Sequence, residues 1–382
     1  MLRRFKVRRK LMENPVFDER EMEMVGTRMV YGEPIEVLNT PVTTKENFKR
    51  TLAGRPLWQC SVNDYQYLIL SCIPEGIAKG IVSDAIIPED QLGGKDMFGI
   101  TWEYEPDIGG ATVRPGNPTL SELSEWEDKI VFPTKETIDS WDWAGGKKRT
   151  LESADPDTFW EPVITTGFFE RLISFLDFQN ALLAMIDEDQ AETMHGLFDR
   201  LADLYIMIID KYVETFPGMI DAVCLHDDWG HKTAPFFSVD MVMERVVPHM
   251  RKVTDHIHAL GLAAEVHSCG KVDSLVPAYI AAGFDMHECQ PLLDFDTVVP
   301  QYGEKIKFHV TPGVPAPDAP EAEQVAAAHA FVDQVIRWGQ PVILETYYAD
   351  YPIQPAYWNE LYRYSRKCFA GQTALVNGKE IR

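Results

Sequence analysis

Ala222-Val-Cys-Leu225 runs into His226-Asp-Asp-Trp-Gly-His231, and further on Leu262-Ala-Ala-Glu-Val266 runs into His267-Ser-Cys-Gly270. Each is a short apolar stretch that ends in polar residues. Between them lies a helical pattern that Ser238 opens and that extends over 239–260. The same unit recurs at Pro162-Val-Ile-Thr165, Phe284-Asp-Met286, Ile306-Lys-Phe-His-Val310 and Val342-Ile-Leu344. Gly283 closes a helix over 273–282. Asp318 is expected to cap the helix that begins Ala319-Pro-Glu321, with Glu321 placed as in a capping box. Strand and helix alternating in this way predict a parallel α/β fold. Six units, with room for two more upstream, fit a (β/α)8 TIM barrel better than an open sheet, and in such barrels chemistry sits where strands end.

Upstream the pattern changes. Residues 1–40 are charged and irregular, and are expected to form an N-terminal arm or lid ahead of a single catalytic domain over 41–382. Thr44 is a plausible cap and Gly54 a plausible stop for a short helix. Residues 75–150 are rich in Gly, Pro and aromatics, as in Phe98-Gly-Ile-Thr-Trp102, which suits a small strand- and turn-rich insertion.

Composition narrows the class of function. The 382 residues carry 36 Lys+Arg against 59 Asp+Glu, a net charge of -23, which argues against binding nucleic acid or an anionic membrane. No apolar run approaches the ~20 residues of a membrane span, and no cleavable leader pattern follows the basic start, so a cytoplasmic location is expected. The six cysteines are scattered, which suits free thiols rather than a disulfide framework.

The strand ends carry the chemistry. His226, Asp227, Asp228 and His231 follow the first quoted run, and His267 and Cys269 the second. His287, Glu288 and Cys289 follow Met286; His309 lies within the next strand; Glu345 follows Leu344. His267 and Cys269 are two apart, so in extended chain both face one way and could reach one ion. Zinc accepts that mixture of imidazole and thiolate; a buried Cys beside a hydrogen-bonded His is the plainer alternative. Asp227 and Asp228, being adjacent in a strand, point to opposite faces, which argues against a joint acid/base pair. Trp102 and Trp229 could hold an aromatic ring or simply pack.

The segments Asp221 to Gly230, Phe237-Ser238 and Ala264-Glu-Val-His267-Ser-Cys269-Gly270 resemble the uroporphyrinogen decarboxylase superfamily. The resemblance runs from about residue 43 to the C-terminus. Its His-x-Cys-Gly form is similar to the zinc methyltransferase branch that works with corrinoid proteins. The Arg-rich stretch of true decarboxylases is absent from Gly54-Arg-Pro-Leu-Trp58, so porphyrinogen decarboxylation is disfavoured. In the coenzyme M branch a distant Cys completes the zinc site; Pro341-Val-Ile-Leu-Glu345 holds none. The resemblance therefore carries the third-ligand role onto Glu345, with Glu288 and His309 in reserve.

A carboxylate there makes zinc a harder Lewis acid, which suits an ether oxygen. The resemblance thus implies a methyltransferase of O-demethylase type. It would take a methyl group from an aryl methyl ether to the Co(I) corrinoid (cobalamin) of a partner protein. Asp228 and His231 would be the catalytic acids, and Trp102, Trp229 and Asp227 the substrate contacts. No Asp-x-His-x-x-Gly corrinoid motif occurs in the chain, as expected if the corrinoid arrives on the partner. Methyl transfer from methylcorrinoid to a thiol, a metal-free lyase and a non-catalytic binding barrel remain alternatives.

Overall fold

The computed structural model describes residues 15–30, 33–153, 155–370, 375–376 and 379–380. Seven parallel strands form one sheet in sequence order: β1 (Tyr65–Leu68), β2 (Phe159–Ile164), β3 (Ala222–His226), β4 (Ala263–Ser268), β5 (Met286–Cys289), β6 (Lys307–Val310) and β7 (Ile343–Leu344). The six expected strands are all present, each within a few residues of its apolar run. Upstream, one further strand joins the named sheet rather than two. The sheet curls until Leu344 on β7 meets the segment before β1: its N–H donates to the Cys60 carbonyl at 3.0 Å, and Ser61 pairs with Leu344 as a parallel bridge. The architecture is TIM-barrel-like, with helices packed over the outside of the sheet.

Alternation along each strand sorts the side chains into two sets. One set meets across strands in the interior. Tyr65, Phe159, Met286 and Ile343 join Phe48 in an apolar cluster, while Glu265, Glu288, His267 and His309 form ion pairs with one another. The other set, including Leu225, Val266 and Phe308, packs into the main core under the helices.

Three helix starts differ from expectation. Thr43, rather than Thr44, caps the helix Thr44–Leu52 by accepting the Glu46 N–H. The 239–260 stretch is two helices, Val239–Arg245 and Val247–Ala259, because Pro248 lacks the N–H needed to continue the first. The helix Glu321–Trp338 has Pro320 at its N-cap position and no side-chain cap. Asp318 therefore does not cap it.

The insertion is a three-stranded antiparallel sheet of Gly94–Lys95, Thr101–Glu105 and Gly110–Val113. Buried Arg171, on the helix Phe168–Leu176, ties it down through Asp96 at 2.6 Å and through Glu75. The described part of the N-terminal arm holds an antiparallel hairpin, Met24–Val30 with Glu33–Leu38. Glu21 binds Arg366 at 2.7 Å and accepts the Tyr362 hydroxyl at 2.7 Å, and Arg28 pairs with Asp64 at 2.9 Å. These bonds hold the arm to the helix Pro355–Phe369 and to the segment leading into β1. Residues 1–14 of the expected arm lie outside the described residues. Among the described residues no helix is long and apolar enough to cross a membrane.

Candidate metal centre at the strand ends

β4 places Glu265, His267 and Cys269 on one face, and the last two meet: His267 Nε2 lies 3.4 Å from Cys269 Sγ. Tetrahedral zinc, with Zn–N of about 2.0–2.1 Å and Zn–S of about 2.3 Å, spans an N···S edge of about 3.5 Å. The pair is thus spaced to share such an ion. On the other side of the ring, His267 Nδ1 lies 3.0 Å from Glu288 Oε2, contributed by the register partner on β5. That carboxylate keeps a proton on Nδ1 and leaves Nε2 to act as a donor. Burial opposes charge on His267, but Glu288 and Cys269 together outweigh it and hold its proton affinity well above the usual value. An imidazole made more basic in this way is also a stronger donor to a cation.

The chain beyond Cys269 is fixed by close backbone contact. Gly270 adopts φ +93°, and a Cβ there would lie 2.2 Å from the Gly230 carbonyl carbon. Only glycine allows both the left-handed conformation and the approach, a physical reason for the final residue of His-x-Cys-Gly. The Cys269 N–H donates to Asp228 Oδ1 at 2.7 Å, and that oxygen stands 3.7 Å from His267 Nε2.

His226 stacks on His267, with centroids 4.3 Å apart and planes 10° from parallel. Its Nδ1 lies 2.7 Å from Glu170 Oε2, and Glu170 also pairs with Lys79 at 3.0 Å. Burial resists ionisation of Glu170, yet Lys79 and His226 hold its carboxyl well below the usual range. Both imidazoles are thus oriented through Nδ1 by an acid. Donor atoms of His226, Asp228 and His267 lie within 4.8 Å of one another.

The expected third ligand lies in an adjoining cluster. Glu345 Oε2 is 3.2 Å from His309 Nδ1, and its Oε1 accepts the Tyr347 N–H at 2.8 Å. His309 Nε2 lies 2.7 Å from Glu265 and 3.0 Å from the Tyr65 hydroxyl. Burial disfavours its charge, but Glu265 and Glu345 raise its pKa to about 10, and with a carboxylate at each ring nitrogen neither nitrogen is left open to an ion. Glu288 belongs to this group and also touches His267. The expected ligands therefore fall into two neighbouring groups, and the donors grouped with His267 are Asp228 and His226.

Alternation separates the other expected residues. Asp227 faces the helices: fully buried, its carboxylate accepts the N–H groups of Phe168, Phe169 and Glu170 and the Trp229 indole N–H, at 2.9 to 3.1 Å. Trp229 is fully buried and stacks on Tyr279 at 4.8 Å. Trp102 is buried in the insertion, with its N–H on Asp96 and Lys79 over its ring. The expected substrate contacts Asp227, Trp229 and Trp102 are thus engaged in holding the scaffold together in this structure. His231 is exposed on the loop after β3, its ring 5.8 Å from that of Phe236.

No family model matches the sequence, and no curated protein matches it. Among solved structures, a methyltransferase from Methanosarcina mazei matches with a TM-score of 0.55 at 15% identity, covering 86% of this chain and 99% of that one. The likeness is one of fold. A D-psicose 3-epimerase covers 56% of this chain and 73% of its own at 13% identity. A xylose isomerase domain protein from Alicyclobacillus acidocaldarius covers 62% and 86% at 9% identity. At a TM-score of 0.30 each, neither carries weight.

Sequence reasoning named Glu288 and Glu345 but missed Glu265 and Glu170, the other acids beside ring nitrogens. Glu265 was visible as the residue two before His267 on the same strand face. Glu161 shares the strand interior and is fully buried, but it precedes the apolar run that marked β2. Glu170 and Lys79 had no local signal, since helix packing alone brings them to His226.

Proposed function

We propose that this chain is a zinc-dependent methyltransferase of the uroporphyrinogen decarboxylase superfamily, built on a (β/α)8 barrel. It moves the methyl group of an aryl methyl ether to the Co(I) corrinoid of a partner protein. The observation that carries the reading is the His267–Cys269 pair at a strand end, spaced for one ion and oriented by Glu288. The fold shared with a methyltransferase supports it.

The residues present fit zinc. In this reading His267, Cys269 and Asp228 hold it, since Asp228 is the carboxylate beside His267 Nε2 while Glu345 is engaged by His309 and the Tyr347 N–H. Bound there, zinc supplies a Lewis acid for the ether oxygen. Glu288 and Glu170 orient the two imidazoles and keep them from rotating. The ether C–O bond breaks as the methyl carbon accepts the Co(I) electron pair, and the phenolate oxygen keeps the bonding pair. His231, at the exposed rim, delivers the proton that completes the phenol. Phe236 beside it offers the ring surface that buried Trp229 does not.

The test is zinc content by elemental mass spectrometry, followed by phenol release from methoxylated aromatics with a reduced corrinoid acceptor. Cys269→Ala is expected to lose zinc from this site and to abolish phenol release with its circular dichroism unchanged. Wild-type turnover in that variant refutes the reading. So does methyl transfer from methylcorrinoid to a thiol with none from any ether.

A further inference from the structure

Two residues nearer the start of β3 and β4 lie donors that the proposed reaction does not use. Cys224 on β3 and Glu265 on β4 are register partners. Cys224 Sγ, a Glu265 oxygen and a Glu288 oxygen lie within 4.8 Å of one another. Glu161 on β2 joins them: it is fully buried, and Glu265 is the charge that acts on it most strongly. Both Glu161 carboxyl oxygens and Glu265 Oε2 are buried with no hydrogen-bond partner among the described residues.

Elsewhere in the interior the acids are compensated. Glu345 and one oxygen of Glu265 face His309, and Glu288 faces His267. Among the described residues no cationic side chain pairs with Glu161 or with the second oxygen of Glu265; the two carboxyls face each other instead. Carboxyl groups buried without donors are costly, and the group that satisfies several at once is a cation. Magnesium and calcium take oxygen donors, whereas a thiolate selects a softer ion.

We infer that Glu161, Cys224 and Glu265, with Glu288 alongside, form a second metal site in the barrel interior, for a borderline divalent transition ion of the zinc class. The ion neutralises the interior acids and fixes Glu288, which orients His267. The inference does not depend on the proposed reaction, because Glu161, Cys224 and Glu265 take no part in it.

The full-length protein is stripped with a chelator and titrated with Zn2+ alone. Bound metal is counted by elemental mass spectrometry after gel filtration, and the thermal midpoint is followed in parallel. Wild type is expected to bind two zinc ions per chain, and Glu161→Gln/Cys224→Ala one. His267→Ala/Cys269→Ala is expected to bind one, held by the interior set. A single wild-type zinc that survives the His267/Cys269 change but not the Glu161/Cys224 change supports the interior site and refutes the strand-end one. Binding that vanishes entirely in His267→Ala/Cys269→Ala overturns the interior site, as does a Glu161→Gln/Cys224→Ala protein that binds as much zinc as wild type. Should that double variant not fold, Glu161→Gln alone carries the same expectation.

Discussion

Asp227 and Asp228 are neighbours of one chemistry, and strand alternation gives them opposite tasks. The four donors on Asp227 are the first three N–H groups of the helix Phe168–Leu176 and the buried Trp229 indole N–H. Asp227→Ala strips the helix of its cap, a loss of about 0.5–2 kcal/mol. It also leaves the indole N–H buried without an acceptor, about 1–3 kcal/mol. Together these give about 1.5–5 kcal/mol. Asp228 is part-exposed and accepts the Cys269 N–H, so Asp228→Ala is expected to cost no more than about 1.5 kcal/mol. The assay is urea denaturation of metal-free proteins followed by tryptophan fluorescence, so that bound ions add nothing to either midpoint. It is run at pH 8, because burial and then Glu170 push the Asp227 carboxyl up to about 7. Zinc binding is measured separately and is expected to fall in Asp228→Ala and persist in folded Asp227→Ala. Equal costs for the two variants, or a reversal of the zinc result, would refute the facing of these two residues.

Three further expectations follow from single contacts. Glu288→Gln keeps an acceptor on His267 Nδ1 but removes the charge, and is expected to weaken zinc at the His267 site by about 10–100-fold; a chelator competition in a Cys224→Ala background that shows no change refutes the orienting role. Gly270→Ala drives a Cβ into the Gly230 backbone at φ +93°, and is expected to cost more than about 1 kcal/mol and to lower zinc occupancy; a wild-type urea midpoint would contradict it. Lys307, buried at the start of β6, has its pKa lowered by burial to about 8 from 10.5. The folded state therefore binds fewer protons than the unfolded chain between pH 8 and 10.5, so stability rises across that window by up to about 1.4 kcal/mol per pH unit. Lys307→Met is expected to lose that rise, so the gap between the two urea midpoints should change from pH 7.5 to pH 9.5; a constant gap rejects it.

The sequence was most legible where information is local. Six of the seven sheet strands coincide with apolar runs, because a parallel strand covered on its helix side needs a continuous or near-continuous apolar stretch. β1, Tyr65–Leu68, was overlooked as a strand because its run reads equally well as a buried helix segment. Asp318 failed as a cap because the helix starts at Glu321, two residues later than expected, with Pro320 at its N-cap position. At the site, His267 and Cys269 could be paired from sequence because they are two residues apart at the end of one strand.

Everything around that pair required the third dimension. Glu288 reaches His267 from the next strand, Glu170 reaches His226 from a helix, and His309 engages Glu345 across β6 and β7. Such contacts have no fixed spacing in the chain. Sequence by itself determined the alternation of strand and helix and the one donor pair that a single extended segment can present. The tertiary structure alone decided which residue of each adjacent pair faces the interior, since a shift of one residue in register exchanges the two sets. It also decided which acid meets which imidazole, and so which nitrogens keep their protons and which remain free to bind.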